Sequence, residues 1–438
     1  MPDQPNARFN EAFGFFASWR RFVKIEGVTD LSNKRTYYGI IATLGFLIGL
    51  NPFSIDMYLP GFSAIAASLR TDTATVGLSL ASFFAGICLG QLAYGPIMDR
   101  YGRFRPLLIG LGIYFAASIG CAFAGSIDQL IVLRFVQALG GCAGMVASRA
   151  MVRDIFPVNE NAKIFSMLML VMGVAPIIAP SIGGLIVQNF DWHAIFIVLA
   201  AITMLVLLCV WKFLPESKEP DHSVSLNPVR VLGGYLSAAA NLRFMLFTLA
   251  MAFATAGLFG YITSSPFLYM EMHGLTESQY GIAFSFCALC LITGSQINRL
   301  LLRRFSEEQI AIAAAIGLVI ISAALLATML AGVNLFAATL ACIAPFMFLL
   351  GIINPNTSAL ALASVTKNIG MASALTGFIQ MGLSALAAAA VSFFSNHSAV
   401  PMAVIIMACT ATVLACVLAA YLRASHHSRA GRLIITEG

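Results

Sequence analysis

Residues 90–106 read GQLAYGPIMDRYGRFRP, and this stretch decides how the chain is organised. Long apolar runs lie on both sides of it, while four charges fall within the seven residues from Asp99 to Arg105. Because a charge inside a bilayer is costly, these charges must lie where an apolar segment leaves the membrane. The Gly95–Pro96 pair precedes them and Gly102 lies among them. We therefore expect a tight turn between two apolar helices.

The composition indicates a protein that crosses a membrane many times. Of the 438 residues, 59% are hydrophobic and only 10% are charged, whereas soluble domains carry about a quarter charged residues. Apolar windows of about 20 residues predict an all-α polytopic protein with two pseudo-symmetric bundles of six spans each. The predicted spans are 38–59, 75–97, 106–124, 129–152, 161–188 and 193–214, then 244–270, 277–300, 308–331, 335–360, 370–395 and 400–422.

These spans divide the chain into a first bundle (38–214), a cytoplasmic linker (215–243) and a second bundle (244–422). Residues 1–37 and 423–438 are predicted to be cytoplasmic tails, because almost every Lys and Arg then lies on the cytoplasmic side. The first tail carries apolar residues at helical spacing beside basic ones, which favours a helix on the membrane surface. A partly disordered tail fits the same residues equally well.

Several classes of function are excluded or disfavoured by the sequence. The net charge of +6 is distributed as topology-setting charge, so we expect no nucleic-acid partner. No Walker-type Gly-Lys-Ser/Thr sequence occurs, so this chain does not bind ATP through such a loop. All nine cysteines fall inside predicted spans, and Cys287 and Cys290 have no nearby His. We therefore expect packing cysteines and no metal site.

Two charges inside the first bundle are candidates for function. Asp56 lies near the outer end of the first span, where a carboxylate usually faces a cavity or a partner. Arg134 lies in the fourth span and keeps its charge, so it must contact water, a carboxylate or a carbonyl oxygen. The alternatives place Asp56 at the interface as a helix-end residue and let Arg134 extend to the outer surface. The sequence leaves these alternatives open.

The remaining candidates are uncharged or conformational. Polar residues in the spans either line a cavity between the bundles or bond neighbouring helices; they are Asn51, Tyr58, Gln137, Tyr261, Asn354 and Gln380. The fifth span carries two prolines and a glycine pair, which predict a bend with close packing; they are Pro176, Pro180, Gly183 and Gly184. Residues 294–304 repeat the bases of the opening stretch without its Asp. Such weak repetition is expected of transporters made from two halves.

Four motifs in order make the chain resemble the major facilitator superfamily over roughly residues 38–422. They are the loop 95–105, Arg134-x-x-Gln137 with Gly140, the proline–glycine segment 176–184, and the first-span segment Asp56–Pro60. The chain looks most like the twelve-span drug/proton antiporters, and among them the bicyclomycin-resistance-like (Bcr/CflA) subfamily. It departs from the usual loop motif at Phe104, where a second base commonly stands.

The resemblance implies a proton-coupled antiporter that exports small amphiphilic compounds or drugs by rocking alternating access. It implies that Asp56 binds the proton and that Arg134 tunes the proton affinity of Asp56. It also implies that residues 176–184 form a hinge and that the proton gradient supplies the energy, with no catalytic residue or cofactor. A cytoplasmic latch, expected to hold an outward-open state, would comprise Gly95, Asp99, Arg100, Gly102, Arg103, Arg153 and Asp154.

The resemblance also implies a monomer in a bacterial inner membrane, with protons, a small amphiphilic substrate and lipid as its partners. A facilitator or symporter of the same fold, carrying a small metabolite or nutrient, is the alternative. It would keep the charged loop but would not need the proline–glycine segment of the fifth span.

Overall fold

The structure is a computed structural model that describes residues 33–223, 228–333, 335–365, 369–395 and 398–436. Within these ranges, twelve helical segments are long and apolar enough to cross a membrane, which confirms the predicted fold class and number of spans. The residues that carry the predicted surface helix of the first tail lie outside the described residues. We call the side that carries Asp99–Arg105 the loop side, predicted to be cytoplasmic, and the opposite side the far side.

The first half begins with α1 (Lys34–Asp56), a 3-10 turn (Leu59–Gly61) and α2 (Phe62–Ser68), which together form the first span. It continues with α3 (Thr73–Tyr101), α4 (Phe104–Ala122), α5 (Ile127–Ile155), α6 (Val158–Asn189) and α7 (Trp192–Phe213). The spans of this half begin one to four residues before the predicted ones, and at α1, α3, α5 and α7 a polar N-cap side chain bonds the first turn. Asp72 accepts the backbone N–H of Thr75 at 2.6 Å, for example, and an apolar window does not detect such a cap.

The second half follows a short helix, α8 (Pro228–Ala239), inside the segment that the sequence predicts to be a plain linker. Its spans are α9 (Leu242–Pro266) with a π-helical end (Phe267–Met272), α10 (Glu277–Leu301), α11 (Glu307–Leu330), α12 (Phe336–Ala363), α13 (Ile369–Phe394) and α14 (Val400–Thr436). The linker is therefore partly helical, and α14 continues into the predicted second tail.

Glycines let helices cross at equivalent places in the two halves. A Cβ atom at Gly86 of α3 would lie 2.5 Å from the carbonyl oxygen of Phe135 on α5. In the second half, Gly294 of α10 lies directly against the carbonyl oxygen of Phe348 on α12. These pairs join the second and fourth spans of each half, so the weak sequence repeat corresponds to a repeated crossing that depends on small residues.

Two seams join the halves, one between α3 and α13 and the other between α6 and α10. On the first seam, Gly77 contacts the hydroxyl of Ser392 near the far side. On the second, the Ser285 hydroxyl donates to the carbonyl oxygen of Ile177 at 2.5 Å. Both seams include the far-side ends of their helices, so the two halves are closed against each other on that side.

Replacing Gly86 with Ala should lower the temperature at which the purified protein unfolds in detergent, because the added methyl group must displace the α5 backbone. Overpacking of this kind costs about 1–3 kcal/mol. Gly112→Ala is a matched control within α4, since a Cβ there meets nothing within 4 Å. The control should be unchanged or slightly more stable, because Ala favours a helix over Gly by about 1 kcal/mol. Equal unfolding temperatures for the two variants would contradict the crossing.

Candidate functional site

Arg134 is completely buried in α5, and its charge is satisfied without a carboxylate. Its Nη1 donates to Oε1 of Gln137 at 2.6 Å, and its Nη2 donates to the carbonyl oxygen of Ser54 at 3.0 Å. The guanidinium carbon also lies 4.2 Å from the ring centroid of Phe83 and 4.6 Å from that of Tyr58, within cation–π range. Of the partners predicted for this residue, the structure has the carbonyl oxygen, and the side chain does not extend to the outer surface.

A buried polar network fixes the groups that hold Arg134. The Gln137 amide donates to the Ser118 hydroxyl of α4 at 2.7 Å. The Tyr58 hydroxyl shares a 2.8 Å hydrogen bond with the Ser79 hydroxyl of α3. Gln137 and Tyr58, both candidates for a cavity lining, are completely buried. In this conformation they position the guanidinium by joining α3, α4 and α5 to the first span.

Asp56 is the last residue of α1, and only 4% of its surface is exposed. Its carboxylate forms no hydrogen bond or ion pair with any residue in the described ranges. Arg134 instead bonds to Ser54, two residues earlier in the same helix. The resemblance implies that Arg134 tunes the proton affinity of Asp56, but the two side chains are not in direct contact. The two charges are linked only through the end of α1.

Of the other candidates for a cavity lining, Asn51 and Gln380 bond neighbouring helices, Tyr261 bonds within its own span, and Asn354 is half-buried. Asn51 donates to the carbonyl oxygen of Gly141 at 3.3 Å, and Gln380 donates to the Thr255 hydroxyl at 2.8 Å. Tyr261 shares a 3.2 Å hydrogen bond with Tyr269, in an aromatic cluster of the second half. Asn354 is half-buried, and its side-chain oxygen has no partner among the described residues. The structure thus brings only Tyr58 and Gln137 to Arg134.

The proline–glycine segment of α6 is a packing point between the halves. The helix runs without a break from Val158 to Asn189, through both prolines. Gly183 lies directly against the carbonyl oxygen of Met57, the residue after Asp56. A Cβ atom at Gly184 would lie 2.8 Å from the carbonyl oxygen of Glu277, at the start of α10. The glycine pair therefore joins the end of α1 to the second half, while its role as a hinge stays a prediction.

The charged loop forms a cluster of ion pairs on the loop side. Arg103 contacts Asp99 and Asp154, each at 3.0 Å, and Lys218 of the linker contacts Asp99 at 2.7 Å. Three of the predicted latch residues, Asp99, Arg103 and Asp154, therefore come together. Gly95, Arg100 and Arg153 lie outside these three ion pairs.

Glu216 of the linker completes this cluster, although sequence reasoning did not single it out. Its carboxylate accepts the backbone N–H of Arg103 at 2.6 Å and that of Phe104 at 3.2 Å. Because α4 begins at Phe104, the carboxylate caps the positive end of that helix. Gly102 has a φ of +85°, and a Cβ there would lie 2.6 Å from Oε2 of Glu216. Only glycine suits this position, for both its φ and the space it leaves.

The ion pairs and caps of this cluster join the first half to the linker. Glu216 and Lys218 come from the linker, while the other partners belong to α3, to the turn and first residue that open α4, and to α5. The two halves are meanwhile closed on the far side. That the loop holds an outward-open state stays a prediction.

A model of the Major Facilitator Superfamily matches residues 44–391. The chain belongs to this superfamily. It is 34% identical to the uncharacterized MFS-type transporter YdgK of Bacillus subtilis, over 83% of this chain and 90% of that protein. It is 30% identical to the bicyclomycin resistance protein homolog of Haemophilus influenzae, over 91% of this chain and 99% of that one. These relatives confirm the resemblance to the bicyclomycin-resistance-like branch.

Solved structures show the same fold at low sequence identity. A bacterial homolog of the human lysosomal transporter Spinster, in an inward-facing and occupied conformation, is 17% identical with a TM-score of 0.66, over 91% of this chain and 98% of that one. A D-xylose-proton symporter is 15% identical with a TM-score of 0.66, over 87% and 97%. With the family and twelve spans, this chain is a multi-pass transporter of the bacterial inner membrane and not an enzyme.

The Glu216 carboxyl that caps α4 should make the stability of the protein depend on pH. Burial raises the pKa of its carboxyl, although the backbone N–H groups of Arg103 and Phe104 oppose the rise. The folded protein therefore holds this proton more firmly than the unfolded chain. Its contribution to stability is most favourable below the ordinary pKa of about 4.3 and declines as the pH rises toward the raised pKa.

We expect Glu216→Gln to remove this decline. The unfolding temperature of the wild type, relative to the variant, should fall as the pH rises from about 4 to 7. Thermal unfolding in detergent at a series of pH values measures this difference. Glu219→Gln, at an exposed linker position, is the control and should follow the wild type. A difference that stays constant with pH would contradict the assignment.

Proposed function

We propose that this protein is a proton-coupled antiporter that exports small amphiphilic compounds, including drugs, from the cytoplasm. The observation that carries the proposal is the state of Asp56, a buried carboxylate that has no ion-pair partner among the described residues. A charged group in a membrane span usually marks an ion or proton pathway. The names of relatives point to the same activity, since they include the bicyclomycin resistance protein homolog and the multidrug resistance protein MdtL of Escherichia coli.

The chemistry required of Asp56 is the uptake and release of one proton. Removal from water disfavours the charged form of a carboxyl group, whereas a bonded guanidinium would favour it. Because Arg134 is bonded to Ser54 and Gln137, Asp56 can change its charge without breaking an ion pair. A proton from the far side binds the carboxylate, and release to the loop side restores it.

The membrane potential supplies enough energy for one proton to drive the export of substrate against a gradient. Each charge that crosses the membrane gains roughly 2.3 kcal/mol per 100 mV of potential. Since a factor of ten in concentration corresponds to about 1.4 kcal/mol, one proton per cycle maintains a substrate gradient of order tenfold to a thousandfold. In the rocking cycle, the α3–α13 and α6–α10 seams would open on the far side as the halves separate there.

The facing surfaces of the halves suit an amphiphilic ligand. Phe84 of α3 and Phe259 of α9 place their ring centroids 4.2 Å apart across the boundary. Cys88 of α3 contacts α13 through the carbonyl oxygen of Phe378, at 3.4 Å. A ligand with apolar surface and few polar groups would replace such contacts at little cost when the halves separate.

Asp56→Asn should abolish proton-driven transport, because an amide cannot exchange the proton. In everted membrane vesicles with an acidic interior, uptake of ethidium or chloramphenicol, a cationic and a neutral probe, should fall at least tenfold, since about 1.4 kcal/mol or more of coupling energy is lost. Asp72→Asn is the matched control, since Asp72 is an exposed helix cap, and it should keep wild-type transport.

Full proton-driven transport by Asp56→Asn would overturn the assignment of the proton to Asp56. Net movement of the probes out of the everted vesicles along with protons would instead support the alternative of a symporter.

A further inference from the structure

The turn between α10 and α11 carries the arginines that repeat the bases of the first-half loop. Arg303 and Arg304 are exposed in this turn, and Arg299 is exposed on the last turn of α10. In the first half, by contrast, Arg103 contacts two carboxylates. Within the described ranges, none of the three second-half arginines forms an ion pair. The repeat has therefore kept its positive charge without the acidic partners.

The polar groups at the start of α11 bond to other partners and leave the arginines of the turn free. The Ser306 hydroxyl accepts the backbone N–H of Gln309 at 3.3 Å, and the Gln309 side chain accepts that of Ser306 at 3.1 Å. The helix therefore caps itself, whereas α4 is capped from the linker. Glu308 contacts Arg243 of α9 at 2.6 Å. Glu307 alone remains to balance three arginines, so the turn keeps an excess of positive charge.

An apolar groove of about 280 Å³ opens beside this turn, between α10, α11 and α12. Leu301 and Phe305, which line it, lie on either side of the two arginines of the turn in the chain. Ala313 of α11 and Leu349 of α12 form the opposite walls. Phe305 is 51% exposed, although it is a large apolar residue at the end of a membrane span. The positive turn and the groove are therefore parts of one continuous surface.

This surface fits a molecule that is apolar at one end and negatively charged at the other. We infer that the groove binds an anionic phospholipid of the loop-side leaflet, with part of one acyl chain in the groove and the headgroup phosphate against Arg303 and Arg304. Guanidinium groups match the oxygens of a phosphate in a bidentate geometry. Basic pockets between spanning helices bind the headgroups of anionic lipids in this way.

The position of the groove favours a lipid over an exported compound. Its lining comes from the second half alone, whereas a compound in transit would bind between the halves. Leu300 of α10 and Ile316 of α11 are exposed near it, and lipid tails are as apolar as such side chains. A bound lipid would hold α10, α11 and α12 together at the loop side. The corresponding end of the first half is held instead by its own ion pairs and by the linker.

Native mass spectrometry of the purified full-length protein tests the charged part of the site. It measures the binding of phosphatidylglycerol and of phosphatidylcholine with the same acyl chains, and the wild type should bind phosphatidylglycerol more tightly. Arg303→Gln combined with Arg304→Gln should weaken phosphatidylglycerol binding about fivefold for each arginine and leave phosphatidylcholine binding unchanged. Arg105→Gln combined with Lys212→Gln is the matched control. It removes two other exposed loop-side charges and should bind both lipids as the wild type does.

A second variant tests the apolar part of the site without changing its charge. Ala313 is exposed in the groove wall, so Ala313→Phe places a ring where the acyl chain would lie. Binding of phosphatidylglycerol should weaken about fourfold for each methylene group that the ring displaces. Ala323→Phe is the control, since Ala323 is exposed farther along the same helix, and it should bind phosphatidylglycerol as the wild type does.

Three results would overturn the inference. The first is equal binding of the two lipids by the wild type. The second is a loss of phosphatidylglycerol binding that is as large in a control as in its test variant. The third is a dimer in the native spectra that Ala313→Phe dissociates while the lipid preference stays unchanged, because the groove would then be the contact with a second copy of the chain.

Discussion

A permanent positive charge is buried in the first half, and the way it is satisfied determines what Asp56 can do. Arg134 is held by a backbone carbonyl, one amide oxygen and two ring faces, and its Nε has no partner in the described part of the chain. Had Asp56 supplied the counter-charge, it would be held in its ionised form. The bond from Arg134 to Ser54 instead leaves the only carboxylate of α1 without a fixed partner. Two charges in one bundle therefore take separate roles, one structural and one available for chemistry.

The close approach of helix backbones at the glycines of α6 is the second constraint, and it explains where the Asp56 site is assembled. At Gly183 and Gly184, α6 touches the end of α1 on one side and the start of α10 on the other. Side chains at these positions would hold the three segments apart. The site is thus built from both halves, on the side where they are closed. On the opposite side, the cluster around Arg103 joins the first half to the linker. The two ends of the first half therefore make different kinds of contact, one with the second half and one with the linker.

The sequence alone predicted the structural features that depend on local residue patterns. Apolar windows gave the spans, and the i, i+3 spacing of Arg134 and Gln137 placed two side chains on one face, where they bond to each other. Charges grouped around the loop predicted the contacts of Asp99, Arg103 and Asp154. The contacts that sequence reasoning missed join residues that lie far apart along the chain. Glu216 is 113 residues from the backbone N–H that it accepts. The glycine pair of α6 was predicted to pack closely, but its partners had no local signal.

Infrared difference spectroscopy tests the central claim, that Asp56 is the buried group that gains and loses the proton. The stretching band of a protonated carboxyl is followed while purified wild-type protein and Asp56→Asn are taken through the same change of pH. The account predicts a band for a buried protonated carboxyl that appears on acidification of the wild type and is missing from the variant. Difference spectra that are identical for the two proteins would contradict it, because the titrating carboxyl would then lie elsewhere.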